Sequence, residues 1–185
     1  MKELSLYILD ITENSVRAGA KNITVSIEEK GSEFRLTVID DGCGMKQEIV
    51  DRLSDPFYTT RTTRKVGLGV PFLTLAAEQT GGGVSITSKH IDEHPDDHGT
   101  VLEATFDSSH IDFIPLGDIV STFVTLIQGS PDIDFLFRHI KDGSAMELDT
   151  KQIREVLGED VPLSNAEVLG WIRGFVNEQY DEWDK

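Results

Sequence analysis

In the segment YILDITENSVRAGA, the carboxylate of Asp10 and the amide of Asn14 stand four residues apart. On a helix that spacing puts both on one face. An amide oxygen is a hard donor of the kind Mg²⁺ accepts, and a carboxylate one turn earlier could orient a water or a metal-bound water. Taken alone, the pair also reads as a solvated helix face. A second stretch, VIDDGCGM, ends an apolar alternation in Asp40 and follows it with Gly42 and Gly44. The glycines allow a sharp turn and close backbone approach to a ligand, and the acid could accept a hydrogen bond from an amino group. A plain glycine turn has the same composition.

The third stretch is DPFYTTRTTRKVGLGV. Gly67-Leu68-Gly69 precedes a helix expected to begin near Val70, and successive backbone N–H groups at such a start can cradle phosphate. Arg61, Arg64 and Lys65 gather three cations beside four threonines, which suits a polyphosphate; a surface loop is the bland alternative. No GxxxxGK[ST] run occurs, so this is not a Walker loop. The fourth stretch, GTVLEATF, opens a strand with Thr100, whose hydroxyl could face a base.

These groups need elements to carry them. Apolar residues at helical spacing predict a helix over about 4–19. Alternation predicts strands at about 22–29 and 34–38, joined by Lys30-Gly31-Ser32 as an antiparallel hairpin. A short helix is expected at about 47–53 and another at about 70–79, stopped by Gly81-Gly82-Gly83. Strands follow at 84–89 and 100–106, around the charged loop HIDEHPDDHG. The order α-β-β-α-α-β-β points to an α+β fold, a two-layer sandwich with helices on one face of a sheet. A composition shift near Ser108-Ser109 suggests two parts, residues 1–107 and a small α/β C-terminal extension over 108–185. In the second part we expect a helix over 116–128, a hairpin around Lys141-Asp142-Gly143-Ser144, a short helix capped by Asp149-Thr150, and a last helix opened by a capping box, Ser164 to Glu167. Phe135 and Phe137 read as core, as do Trp171 and Phe175.

Composition excludes several functions. The chain has 185 residues, 17 bases and 33 acids, for a net charge of −16. Residues 1–107 hold 11 bases against 18 acids, and residues 108–185 hold 6 against 15. Nucleic acid needs a basic footprint, and anionic membranes repel such a field, so neither is an expected partner. The single cysteine, Cys43, forbids an internal disulfide and a cysteine-based zinc site. No apolar run is long enough for a membrane span, and acids interrupt the N-terminal apolar stretch, so it is not a signal peptide. The expected location is the cytoplasm. His90, His94 and His98, set among acids, read as a solvated loop rather than a metal cluster.

Taken together and in order, the four stretches resemble the ATP-binding domain shared by DNA gyrase B, the ninety-kilodalton heat-shock chaperones, sensor histidine kinases and mismatch-repair ATPases, the GHKL superfamily. The resemblance covers about residues 1–107. ENSVRAGAKNITVSIEE is similar to the family's N box and the strand after it, DDGCGM to its G1 box, DPFYTT to its F box, GLG to its G2 box and HGTVLEATF to its last strand. It implies the Bergerat ATP-binding fold and the cofactors ATP and Mg²⁺. It implies Asn14 as the Mg²⁺ ligand, Asp40 on the adenine amino group, Gly42 and Gly44 shaping that pocket, and Thr100 at its adenine end. Residues about 58–69 would form a lid, with Arg61, Arg64, Lys65, Gly67, Leu68 and Gly69 near the phosphates. Two departures stand out. Hydrolytic members carry a glutamate where this chain has Asp10, one methylene shorter, so a catalytic Asp10 implies slow hydrolysis. Lys65 stands where many histidine kinases have glycine.

Three functions follow. One is a kinase subunit that binds ATP and phosphorylates a partner protein, since no helix carrying an acceptor histidine precedes the domain and His139 falls in a strand. The alternatives are a slow ATPase switch and a nucleotide-sensing module, anti-sigma-like, that works by binding a partner. The oligomeric state is left open.

Overall fold

The computed structural model describes residues 2–54, 69–158 and 160–183. It opens with α1 (Leu4–Arg17), followed by β1 (Asn22–Lys30), β2 (Glu33–Asp40), α2 (Gln47–Ser54), α3 (Gly69–Gln79), β3 (Gly83–Lys89) and β4 (Gly99–Asp107). The chain continues through α4 (Ile119–Gly129), β5 (Asp134–Lys141), β6 (Ser144–Asp149), α5 (Thr150–Leu157) and α6 (Ala166–Asp181). The six strands form one sheet in the order β3-β4-β2-β1-β5-β6. β1 and β2 are the antiparallel hairpin expected from their alternation, with Val25 opposite Val38. β5 lies parallel to β1, Phe137 beside Val25, so the sheet runs unbroken across residue 107.

Period-two alternation decides which face is wet. Leu102, Val38, Val25, Phe137 and Leu148 form one row across the sheet, and all are buried. The neighbouring row, Glu103, Thr37, Ser26, Arg138 and Glu147, lies on the opposite face and is half-buried or exposed. There Arg35 bridges Glu103 at 3.1 Å, and Arg138 bridges Glu147 at 2.8 Å. Helices α3, α1, α4 and α6 lie side by side over the apolar face. Phe123 of α4 stacks on Phe137 with ring centroids 4.1 Å apart, and Phe135 stacks 5.4 Å beyond. This is the two-layer α/β sandwich expected from the element order.

The start of α1 depends on a distant segment. Its first amides have no side-chain cap; instead Leu4 and Ser5 donate to the carbonyls of Pro115 and Leu116, at 2.9 and 2.8 Å. A helix start needs such partners, and the chain before α4 supplies them.

Three local expectations are corrected. α4 begins at Ile119 rather than Leu116, because Asp118 is its N-cap and accepts from the Ser121 N–H at 2.9 Å. Asn165, not Ser164, caps α6, accepting from the Glu167 N–H at 2.8 Å. Trp171 and Phe175 are not core: they stack on each other, 5.2 Å apart, and are 56% and 36% exposed. The inward stripe of α6 is Val168, Leu169, Ile172 and Val176, which leaves the aromatic pair on a flank.

Candidate functional site

A cavity of about 540 Å³ opens beside α1, between α2 and the ends of β2 and β4. Its walls are mostly apolar: Ile11, Val38, Ile49, Val70, Ile86 and Leu102 among others. Asn14, Ser15, Asp40 and Thr100 supply polar groups among its lining residues. An apolar cleft with a few convergent polar groups is the usual form of a small-molecule site.

Asp40 ends β2, and its carboxylate is held on both oxygens. Ser15 donates its hydroxyl to Oδ2 at 2.6 Å, and the Gly42 N–H donates to Oδ1 at 2.9 Å. Ser15 comes from the buried side of α1, so helix and sheet meet at this acid. The carboxylate still has lone pairs for an outside donor. Its neighbour Asp41 serves the scaffold. It accepts from the Lys21 N–H at 2.7 Å and from the Asn22 N–H and amide at 2.9 and 2.7 Å, tying the end of β2 to the start of β1. Partial burial pushes this carboxyl upward, but the three donors outweigh it and hold the group below the usual carboxylate range.

The glycines have steric reasons. A Cβ on Gly42 would lie 2.8 Å from the Ala18 Cβ and 2.9 Å from Asp40 Oδ1. Gly44 has φ +65°, and a Cβ there would overlap the Lys89 carbonyl oxygen. The loop is thus pressed between α1 and β3. Ser88 locks it further: its hydroxyl accepts from the Met45 N–H at 2.8 Å, donates to the Gly99 carbonyl at 2.9 Å and lies 2.9 Å from the Thr100 hydroxyl. From the charged loop after β3, the Ile91 N–H donates to the Cys43 carbonyl at 2.9 Å, and His98 Nδ1 lies 2.6 Å from the Gly42 carbonyl oxygen. His98 therefore buttresses the glycine loop, and no group of three metal-ligating side chains forms among the described residues.

Asn14 lines the cavity, with its amide oxygen accepting from Arg17 at 3.2 Å; Arg17 in turn pairs with Glu13 at 2.8 Å. Asp10, one turn earlier, is not among the lining residues. Its carboxylate packs on Gly69, the first residue of α3, where any Cβ would collide with it. The positive end of that helix favours a negative group. The structure thus brings Asn14, Asp40, Gly44 and Thr100 around one cavity, sets Gly42 behind Asp40, and pairs Asp10 with Gly69. Arg61, Arg64, Lys65, Gly67 and Leu68 lie outside the described residues.

Ser15 and Ser88 went unnoticed in the sequence. Ser15 left a signal: a serine on the apolar stripe of α1, 4% exposed, needs a partner. Ser88 left none, because its role depends on where two strands and a loop meet.

His139, the histidine in β5, lies elsewhere. A second cavity of about 480 Å³ is lined by Glu29, Phe34, Phe113, His139, Tyr180 and Trp183 among others. His139 is 3% exposed and bonded at both ring nitrogens, to Glu29 at 2.9 Å and the Tyr180 hydroxyl at 3.0 Å. Burial pushes its pKa down, and Glu29 opposes that only in part.

Over 57 residues the chain is 40% identical to the DNA mismatch repair protein MutL of Clostridium perfringens (strain ATCC 13124), covering 31% of this chain and 8% of that protein. Over 89 residues it is 29% identical to sporulation kinase C of Bacillus subtilis, covering 47% and 21%. The chain therefore spans at most about a fifth of the length of these two relatives. Among solved structures, the Aquifex aeolicus MutL ATPase domain complexed with ADP superposes with a TM-score of 0.53 at 14% identity, covering 94% of this chain and 88% of that one. At that identity the likeness is one of fold. Residues 2–110 match the family described as histidine kinase-, DNA gyrase B- and HSP90-like ATPase, and the chain belongs to that family.

Proposed function

We propose that this protein binds MgATP in the cavity beside α1 and acts as a regulatory kinase subunit, passing the γ-phosphoryl group to a side chain of a partner protein. The observation that carries the reading is the convergence of Asn14, Asp40 and Thr100 on one largely apolar cavity. The walls suit a purine ring, and Asp40, with both oxygens pinned, is set to accept a hydrogen bond from the adenine amino group. Thr100 would close the same end. Asn14 fits Mg²⁺: its amide oxygen is a hard donor on the cavity wall, and phosphate and water oxygens can complete an octahedron. Its present partner, Arg17, is exposed and also held by Glu13, so it can turn away. Bound Mg²⁺ would neutralise charge on the phosphates. Arg61, Arg64, Lys65, Gly67 and Leu68, with Gly69, belong to the phosphate side of this reading. His139 is buried and doubly bonded, which supports an acceptor on another molecule.

A slow ATPase switch is the second reading. Asp10 is the observation that favours it, an acid beside the start of α3 on the same helix as Asn14. Incubation with γ-labelled ATP and cell extract separates the outcomes. Labelled partner protein supports the kinase, free phosphate the switch, and neither a sensor. Asp10→Asn should abolish phosphate release while MgADP affinity stays within about twofold. Phosphate release equal to that of the natural chain would remove Asp10 from any catalytic role.

A further inference from the structure

α6 is the last helix of its layer. On one side Arg173 reaches α4, donating to the Ser121 hydroxyl at 3.0 Å. Toward the sheet, Gln179 bonds the backbone of Glu147 in β6, the edge strand. At 3.6 residues per turn, Trp171 and Phe175 project from the side of α6 opposite Arg173, at the open end of the layer beyond α4. Their rings stack 5.2 Å apart with an interplanar angle of 13°, and both are exposed. Two stacked aromatics on one flank are far from the usual fate of such residues.

Two further features mark the same flank. Gly174 sits beside Trp171 toward solvent, and a Cβ there would meet nothing within 4 Å. No contact among the described residues requires this glycine, although glycine weakens a helix interior; a second helix could approach closely there. The charges are one-sided. Glu167, Glu178 and Glu182 are exposed and share this side of the helix with the rings. Arg173, the one base of α6, points to α4. With a chain net charge of −16, a second copy would set like charges against one another. A basic helix meets the rings with its apolar stripe and the acids with its lysines or arginines.

We propose that the flank of α6 built on Trp171 and Phe175 is the docking surface for a basic amphipathic helix of a partner protein, which would extend the helix layer past the β6 edge. This inference does not depend on nucleotide binding.

The probe is a synthetic peptide of 16 residues, the length of α6, with leucines along one helical stripe and lysines elsewhere. One control replaces the lysines by glutamates, and another replaces the leucines by serines. Binding to the full chain is followed by calorimetry and tryptophan fluorescence. The basic leucine peptide should bind with 1:1 stoichiometry and both controls should fail. Trp171→Ala should weaken binding at least about tenfold, as for an aromatic anchor, and Glu178→Lys about threefold or more. Both residues are exposed, so folding survives, and unchanged MgADP affinity separates this result from failure of the nucleotide site. Equal peptide binding to the natural chain and to Trp171→Ala would mean diffuse charge attraction and overturn the proposal. So would no binding of the basic peptide. A dimer seen by sedimentation and dissolved by Trp171→Ala would overturn it in favour of a second copy.

Discussion

Ser15→Ala tests whether Asp40 is held ready for a ligand. The Ser15 hydroxyl donates to Asp40 Oδ2 at 2.6 Å, a charge-assisted bond, and Ser15 is 4% exposed, so water cannot easily take its place. A bond to a charged group contributes about 1.5–3 kcal/mol. Asp40 is half-buried and keeps the Gly42 N–H on its other oxygen, so we take the lower part, about 1.5–2 kcal/mol. In a chain of this size that lowers the melting temperature by about 3–8 °C. The effect on ligand is separate. With Oδ2 released, the carboxylate can rotate away from the cavity, and about 1.4 kcal/mol of lost positioning is a tenfold loss of affinity. MgADP affinity by calorimetry, below the melting transition, should therefore fall about tenfold in Ser15→Ala. Asp40→Asn should also bind more weakly, and the double variant should lose less than the sum, because the two residues act as one unit. A folded Ser15→Ala protein with affinity within twofold of the natural chain would refute the role given to Asp40.

Two further outcomes follow from the geometry. Burial depresses the His139 pKa, so the unfolded chain takes up a proton more readily than the folded one. The stabilisation from neutral His139 is complete above the unfolded value of about 6.5 and is lost as pH falls below it toward the folded value; thermal melting should decline over that window, and less steeply in His139→Gln. Gly44→Ala should cost about 2–4 kcal/mol by chemical denaturation, from the left-handed backbone and the collision with the Lys89 carbonyl, while Gly31→Ala, with open space around it, should cost only about 1–2 kcal/mol.

Local pattern was enough for the elements. Ile23, Val25 and Ile27 alternate because one strand face is buried, and the short turn at Gly31 leaves β1 and β2 only an antiparallel pairing. The order of Asn14, Asp40, Gly42, Gly44 and Thr100 was likewise legible, since each sits on, or just past the end of, an element whose period can be read. Periodicity is silent on which elements meet. That β5 joins β1 in parallel, with Phe123 stacked on Phe137, was decided by the match of apolar faces over a separation of about a hundred residues. The capping of α1 by Pro115 and Leu116 and the hold of Ser15 on Asp40 depend on the same docking. Trp171 and Phe175 show the limit most plainly. Their spacing of four residues puts them on one side of a helix, as it would core residues, but Val168, Leu169, Ile172 and Val176 already fill the side that faces the sheet and α4. An i, i+4 pair has the same spacing whether it faces inward or outward, and only the packed layer determines which side has neighbours.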